Sequence, residues 1–100
     1  MLTFVVAGGG FAGAELAGAL NDFARGMLVY YPNIAPQEVR VILVHSRDRI
    51  LPELSEELAA YALERMAARG VIFKLNVRVA DARPGAVVLN TKEEIQTHTL

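Results

Sequence analysis

The 100-residue sequence has no cysteine. That excludes a disulfide framework, a thiolate metal site and a redox-active dithiol within these residues, so any redox chemistry needs an imported cofactor. Nor is there an excess of charge of either sign: 10 basic and 11 acidic residues leave a formal net charge of −1. Like charges run no longer than Glu56-Glu57 or Glu93-Glu94, and no nucleic-acid surface is expected. Long hydrophobic runs are missing too. Phe4-Val5-Val6-Ala7 and Val41-Ile42-Leu43-Val44 fall far short of the roughly 18 residues of a membrane span. Nothing basic precedes the first apolar run and glycines interrupt it, so no signal peptide is read and a cytoplasmic setting is the expectation. Without cysteines or clustered carboxylates at ligand spacing, no metal site is expected either.

What is present reads as a folded domain. An apolar share of 53% with 21% charged residues argues against disorder, and the length suits a single domain over residues 1–100. Leu2 to Ala7 is short, β-branched and aromatic, and ends in Gly8-Gly9-Gly10, as a buried strand entering a tight turn does. From Phe11 the period becomes helical, with Leu16, Leu20, Phe23 and Met27 as the apolar positions and small Ala14, Ala17, Gly18 and Ala19 among them. These small residues permit a close approach to a sheet, and close packing is the expected compensation for Gly18 in mid-helix. The two prolines of Tyr30 to Pro36 end this helix near Tyr31.

Val39 to Val44 is the second predicted strand. Ser55 is placed to cap a second helix with Glu56 and Glu57 in its first turn. Leu58, Ala62 and Met66 form its expected buried face, and Arg65, Arg69 and Gly70 mark its end. A third strand runs from Val71 to Leu75. Beyond it Val77–Ala80, Ala86–Leu89 and Ile95–Leu100, separated by Arg83-Pro84-Gly85 and Asn90-Thr91-Lys92-Glu93, read as an antiparallel meander. The fold class is therefore α/β: a doubly wound, Rossmann-like parallel sheet (βαβαβ) with a three-stranded meander.

Gly8-Gly9-Gly10-Phe11-Ala12-Gly13 satisfies G-x-G-x-x-G directly after a strand and at the opening of a helix, the context that gives this weak motif its meaning. Gly8 permits the tight turn, Gly10 lets a pyrophosphate approach the backbone, and Gly13 lets the helix pack on the sheet. The amides of Phe11 and Ala12 then face the anion at a helix N-terminus, which needs no lysine or arginine to hold a diphosphate. Glu15 reads two ways, as a functional group or as a carboxylate stabilising the helix dipole.

The segment from Val5 to Gly18, then Tyr31-Pro32 and Ile34, then Val41 to Val44 with Asp48-Arg49-Ile50-Leu51-Pro52, resembles the type II NADH dehydrogenases, FAD-dependent members of the pyridine nucleotide-disulfide oxidoreductases. The glycine turn alone would indicate only the wider class; the Tyr-Pro loop and the Arg49 to Pro52 segment narrow it. The resemblance implies an NAD(P)H-binding domain of a larger flavoprotein, normally inserted in an FAD domain that this sequence does not contain. In that family NADH reduces FAD by hydride transfer and the flavin passes electrons to a membrane quinone, the intact protein lying peripherally on the cytoplasmic face. It further implies pyrophosphate contacts at Gly8, Gly10, Phe11, Ala12 and Gly13, Glu15 near the nicotinamide, and Val79 lining the adenine pocket. The plainer reading of Val79 is a buried strand residue. No catalytic residue falls in this chain, which alone should be inactive.

The end of the second strand should meet the adenosine ribose, where an Asp or Glu would bond the two hydroxyls and repel a 2′-phosphate. Here the sequence has His45-Ser46-Arg47, with Arg49 beyond, a departure from the family's acidic residue. Ser46 with Arg47 or Arg49 could hold the 2′-phosphate of NADPH; alternatively the two arginines are solvated loop charges and His45 bonds a ribose hydroxyl or stacks on adenine, so NADH and NADPH both stand. His98 is assigned no role. Two alternatives to the oxidoreductase unit are a nucleotide-sensing Rossmann module without catalysis and a ferredoxin or disulfide reductase of the same wider class.

Overall fold

A computed structural model describes residues 2–8, 10–35, 38–47, 50–51 and 54–97, except the side chains of Leu2 and Phe11. Strand β1 (Leu2–Ala7) leads through the glycine turn into helix α1 (Phe11–Met27), which tightens into a 3₁₀ turn over Leu28–Tyr30. Strand β2 (Val39–His45) follows, then helix α2 (Glu56–Ala68) and strand β3 (Val71–Leu75). The chain closes with β4 (Val79–Arg83), β5 (Ala86–Leu89) and β6 (Glu94–Gln96).

The first three strands form one parallel sheet in the order β1-β2-β3, with Ala7 beside Val44 and His45 beside Leu75. Strand β2 is central, which is why Val41 to Val44 is an unbroken apolar run: all four are buried, alternating between two faces. Val41 and Leu43 join Val6, Ala14, Ala17, Ala59 and Val71 in one core, under both helices. Ile42 and Val44 join Leu89 and Ile95 in a second core, under the antiparallel sheet β4-β5-β6. The layers are thus helices, parallel sheet, meander. A doubly wound sheet would carry helices on both faces; here the second face is taken by the meander.

Several elements differ from the sequence reading in detail. In α1 the residues against the sheet are Ala14, Ala17 and the polar Asn21, while Leu16 and Phe23 are 57% and 67% exposed. Leu20 and Met27, the other two positions of the expected stripe, are half-buried. Small residues on the inner face bring the helix close to the sheet, and the larger ones turn outward. Gly18 contributes nothing to that approach, since a Cβ there would meet no atom within 4 Å. On α2 the inner face is Ala59 with Ala62, Leu63 and Met66, and Leu58 is exposed, so the stripe sits one residue later at its start.

Helix α2 otherwise begins and ends where its polar residues place it. Ser55 Oγ accepts the Leu58 N–H at 3.2 Å, Glu56 and Glu57 occupy the first turn, and Gly70 follows at φ +103°, the left-handed conformation that ends helices. The meander begins two residues later than expected, its first hairpin turning at Pro84-Gly85 with Gly85 at φ +82°, and its last strand is shorter; residues 98–100, His98 among them, lie outside the described set.

The lower end of the sheet is tied by a polar network. Asn21 Nδ2 donates to the Arg69 carbonyl at 2.9 Å and Asn21 Oδ1 accepts from Arg25 Nε at 3.0 Å. The Arg25 guanidinium also reaches the carbonyls of Val39 at 3.3 Å and Gly70 at 3.4 Å. One buried asparagine and one arginine thereby join α1 to the starts of β2 and β3 and to the end of α2.

Candidate functional site

At the opposite end of the sheet, the carboxyl ends of β1, β2 and β3 converge with the start of α1. The glycines there serve different purposes. Gly8 has φ +104°, so a side chain would be strained regardless of space. Gly13 is required by contact: a Cβ on it would collide with the Gly8 carbonyl oxygen and lie 2.8 Å from the Gly8 carbonyl carbon. The first turn of α1 thus sits directly on the end of β1. Gly10, the N-cap residue, has φ −75° and ψ −172°, extended backbone open to any residue, so its missing side chain is not demanded by conformation.

The α1 N-terminus is open. The first intrahelical bond runs from the Ala14 N–H to the Gly10 carbonyl at 2.9 Å, which leaves the amides of Phe11, Ala12 and Gly13 without intrahelical acceptors. Among the described residues no side chain caps the helix, and no acidic residue lies in its first turn. The dipole effect fades beyond that turn, so Glu15, exposed on the next, is poorly placed for the dipole role that the sequence left open. Gly9 lies outside the described residues.

The turn is fastened to the neighbouring strand. The Gly8 N–H donates to the Val44 carbonyl at 2.7 Å, extending the β1–β2 ladder one residue past β1. His45 ends β2, half-buried, and Ser46 and Arg47 follow it, exposed. The segment after β3 closes on them: Val77 N–H donates to the His45 carbonyl at 3.2 Å and Asn76 N–H to the Arg47 carbonyl at 3.0 Å. Asn76 has φ +60°, which turns it back to make this bond. Two residues beyond the undescribed Asp48 and Arg49, Ile50 and Leu51 are buried in the helix-side core. The Arg49 to Pro52 segment that carried the family resemblance therefore includes a packing anchor.

The structure brings Gly8, Gly10, Phe11, Ala12, Gly13, His45, Ser46 and Arg47 to one end of the sheet. Val79 is half-buried and packs against Ile42, Val44, Leu89 and Ile95, a setting of apolar strand residues. Arg78, next to Val77 and exposed, lies at the same end and was not singled out in the sequence; the signal that finds it is only the backbone bond between β2 and the segment after β3. An apolar hollow of about 360 Å³ lies elsewhere, along the second half of α1 between Phe4, Leu20, Met27, Leu28, Tyr31 and Ile34. Among the described residues its lining carries no charge.

The sequence matches the pyridine nucleotide-disulphide oxidoreductase family over residues 2–100. Among curated proteins it is 30% identical over 96 residues to the type II NADH:quinone oxidoreductase of Haemophilus influenzae, covering 95% of this chain and 22% of that protein. It is 34% identical over 93 residues to the mitochondrial external alternative NAD(P)H-ubiquinone oxidoreductase B3 of Arabidopsis thaliana, covering 92% of this chain and 16% of that protein. The solved structure of NDH2 from Plasmodium falciparum in complex with NADH has the same fold, with a TM-score of 0.87 over 97% of this chain and 21% of that chain at 19% identity. The chain thus spans about a fifth of the length of the type II relative from Haemophilus influenzae. It belongs to the pyridine nucleotide-disulphide oxidoreductase family, and type II NADH:quinone oxidoreductases are among the relatives it resembles there.

Proposed function

We propose that the chain is the NAD(P)H-binding unit of a longer flavoprotein oxidoreductase that passes hydride from NAD(P)H to FAD and then to a quinone. The observation that carries this reading is the glycine turn: Gly8 at positive φ, Gly13 under the Gly8 carbonyl, and an uncapped α1 N-terminus beyond an unforced Gly10. Such a terminus offers free N–H donors and about half a positive charge to a diphosphate. The pyrophosphate would lie against the amides of Phe11, Ala12 and Gly13, the adenosine ribose at His45, Ser46 and Arg47, and the nicotinamide on the Glu15 side. Val79, half-buried against the meander-side core, would line the adenine pocket only at its edge.

The chain has a single glycine-rich turn of this kind, and the pyridine nucleotide takes it. The flavin and the quinone are assigned to the remainder of the longer protein, where FAD accepts the hydride. The work of these residues is to bind the nucleotide and orient it; without an acceptor the unit should not turn over. The intact enzyme would work as a peripheral protein at the cytoplasmic face of a membrane. No helix among the described residues is long and apolar enough to cross one. A nucleotide sensor without catalysis is disfavoured by the names of the relatives, which are oxidoreductases.

The test is isothermal titration of the chain with NADH and NADPH beside a Gly10→Val variant. Valine tolerates the extended backbone of residue 10, so the variant should keep its thermal midpoint while losing binding of both nucleotides at least a hundredfold. Unchanged affinity in a folded variant would refute the placement of the pyrophosphate.

A further inference from the structure

We propose that the carboxyl end of β2 selects the 2′-phosphorylated nucleotide, so that NADPH is bound in preference to NADH, with Arg47 gripping the phosphate, Ser46 donating a second bond and Arg78 adding a flanking positive charge. This inference rests on the reading of the glycine turn as the dinucleotide site.

The first observation is which residues the ladder places there. The Gly8 to Val44 bond sets the glycine turn beside the end of β2, so a dinucleotide held at the turn presents its adenosine ribose to residues 45–47. A carboxylate there would accept bonds from both ribose hydroxyls and repel a 2′-phosphate. The residues are histidine, serine and arginine. His45 and Ser46 can each bond a hydroxyl, but nothing among 45–47 opposes a phosphate.

The second observation is the charge that surrounds the position. The carbonyls of His45 and Arg47 take the amides of Val77 and Asn76, which makes 45–47 and 76–78 one backbone-bonded pair of segments. Neither segment contains Asp or Glu. Arg47 and Arg78 are exposed, and no ion pair among the described residues engages either. Lys74, nearby on β3, is already paired with Glu93 at 3.1 Å and is not counted. A phosphate monoester carries between one and two negative charges near neutral pH, and a guanidinium meets it with two parallel hydrogen bonds.

The third observation is rigidity. The backbone of 45–47 is held on one side by the bonds from Asn76 and Val77 and on the other by the burial of Ile50 and Leu51. Arg47 therefore starts from a fixed backbone, and only its side chain must be ordered when phosphate arrives.

The experiment titrates the chain with NADPH, NADH, 2′,5′-ADP and 3′,5′-ADP by calorimetry, for the wild type and for Arg47→Glu and Arg78→Ala. The two ADP isomers carry equal charge, so they separate a positioned phosphate site from general attraction to a basic surface. NADPH should bind at least tenfold more tightly than NADH, and 2′,5′-ADP at least tenfold more tightly than its isomer. Arg47→Glu should invert the nucleotide preference, and Arg78→Ala should weaken NADPH threefold or more. Equal affinity for the two isomers, or NADH binding as tightly as NADPH, overturns the selectivity and leaves the dinucleotide site standing. A folded wild-type chain that binds neither dinucleotide overturns both.

Discussion

Replacing Asn21 by alanine should destabilise the domain more than its small size suggests. Asn21 is 1% exposed, and its amide both donates to the Arg69 carbonyl at 2.9 Å and accepts from Arg25 Nε at 3.0 Å. A neutral hydrogen bond of this kind contributes about 0.5–1.5 kcal/mol and one to a charged group about 1.5–3 kcal/mol. Two effects reduce the sum. Arg25 keeps its contacts with the Val39 and Gly70 carbonyls, and alanine's better helix propensity offsets roughly 0.5 kcal/mol. A loss of about 1.5–4 kcal/mol remains, and at about 4–8 °C per kcal/mol for a domain of this size the thermal midpoint should fall by roughly 6–32 °C.

The assay is thermal unfolding by circular dichroism, with urea unfolding to verify that the slope is unchanged. Asp22→Asn is the control. That residue is adjacent in sequence, but its contact is an exposed 3.6 Å pair with Arg69, worth under about 1 kcal/mol. A fall of less than about 4 °C for Asn21→Ala, or an equal fall for Asp22→Asn, would refute the view that this buried network fastens the lower end of the sheet.

The glycines give two further predictions of opposite sign. Gly13→Ala forces a methyl into the Gly8 carbonyl, and because both partners are backbone it should lower the thermal midpoint by roughly 4–24 °C, following the destabilisation of about 1–3 kcal/mol typical of overpacking; an unchanged midpoint would mean the helix can lift off β1 freely. Gly18→Ala meets empty space in mid-helix and should stabilise by about 0.5–1 kcal/mol, read as an increase in urea midpoint, and a decrease would point to a contact at Gly18 that the chain's own fold does not contain.

The parts of the fold most legible in the sequence were those where local chemistry is unambiguous. Val39 to Val44 read as a strand, and Ser55 with Glu56, Glu57 and Gly70 bracketed α2 because caps and charges act within one turn. The orientation of α1 was legible only through its small residues, which permit a close approach to the sheet, as buried Ala14 and Ala17 make. Large apolar residues at helical spacing ordinarily mark the inner face, but here alanines occupy it, since a helix seated on a glycine turn lies too near the sheet for leucine. Asn21 was invisible as well: its partners are a carbonyl 48 residues away and an arginine one turn along. At the site, the glycine motif announced itself, and the sequence order alone pointed to residues 45–47. Arg78 could not be found that way, because its segment is fixed beside residues 45–47 by the backbone bonds from Val77 and Asn76 that continue the β2–β3 pairing.

The hydrogen bond from Gly8 to Val44 turns the end of the sheet into a gauge of fixed length. It locks the turn proposed for the pyrophosphate to the strand end proposed for the ribose, so on that reading the spacing between the two is set during folding rather than when a ligand arrives. A molecule carrying both groups at that spacing would gain the benefit of a chelate, since seating one half delivers the other at a high local concentration with little further ordering. Fragments carrying one group each would forgo it. Discrimination between a whole adenine dinucleotide and its separate pieces would then come from the backbone ladder, with the side chains left to decide only which dinucleotide it is.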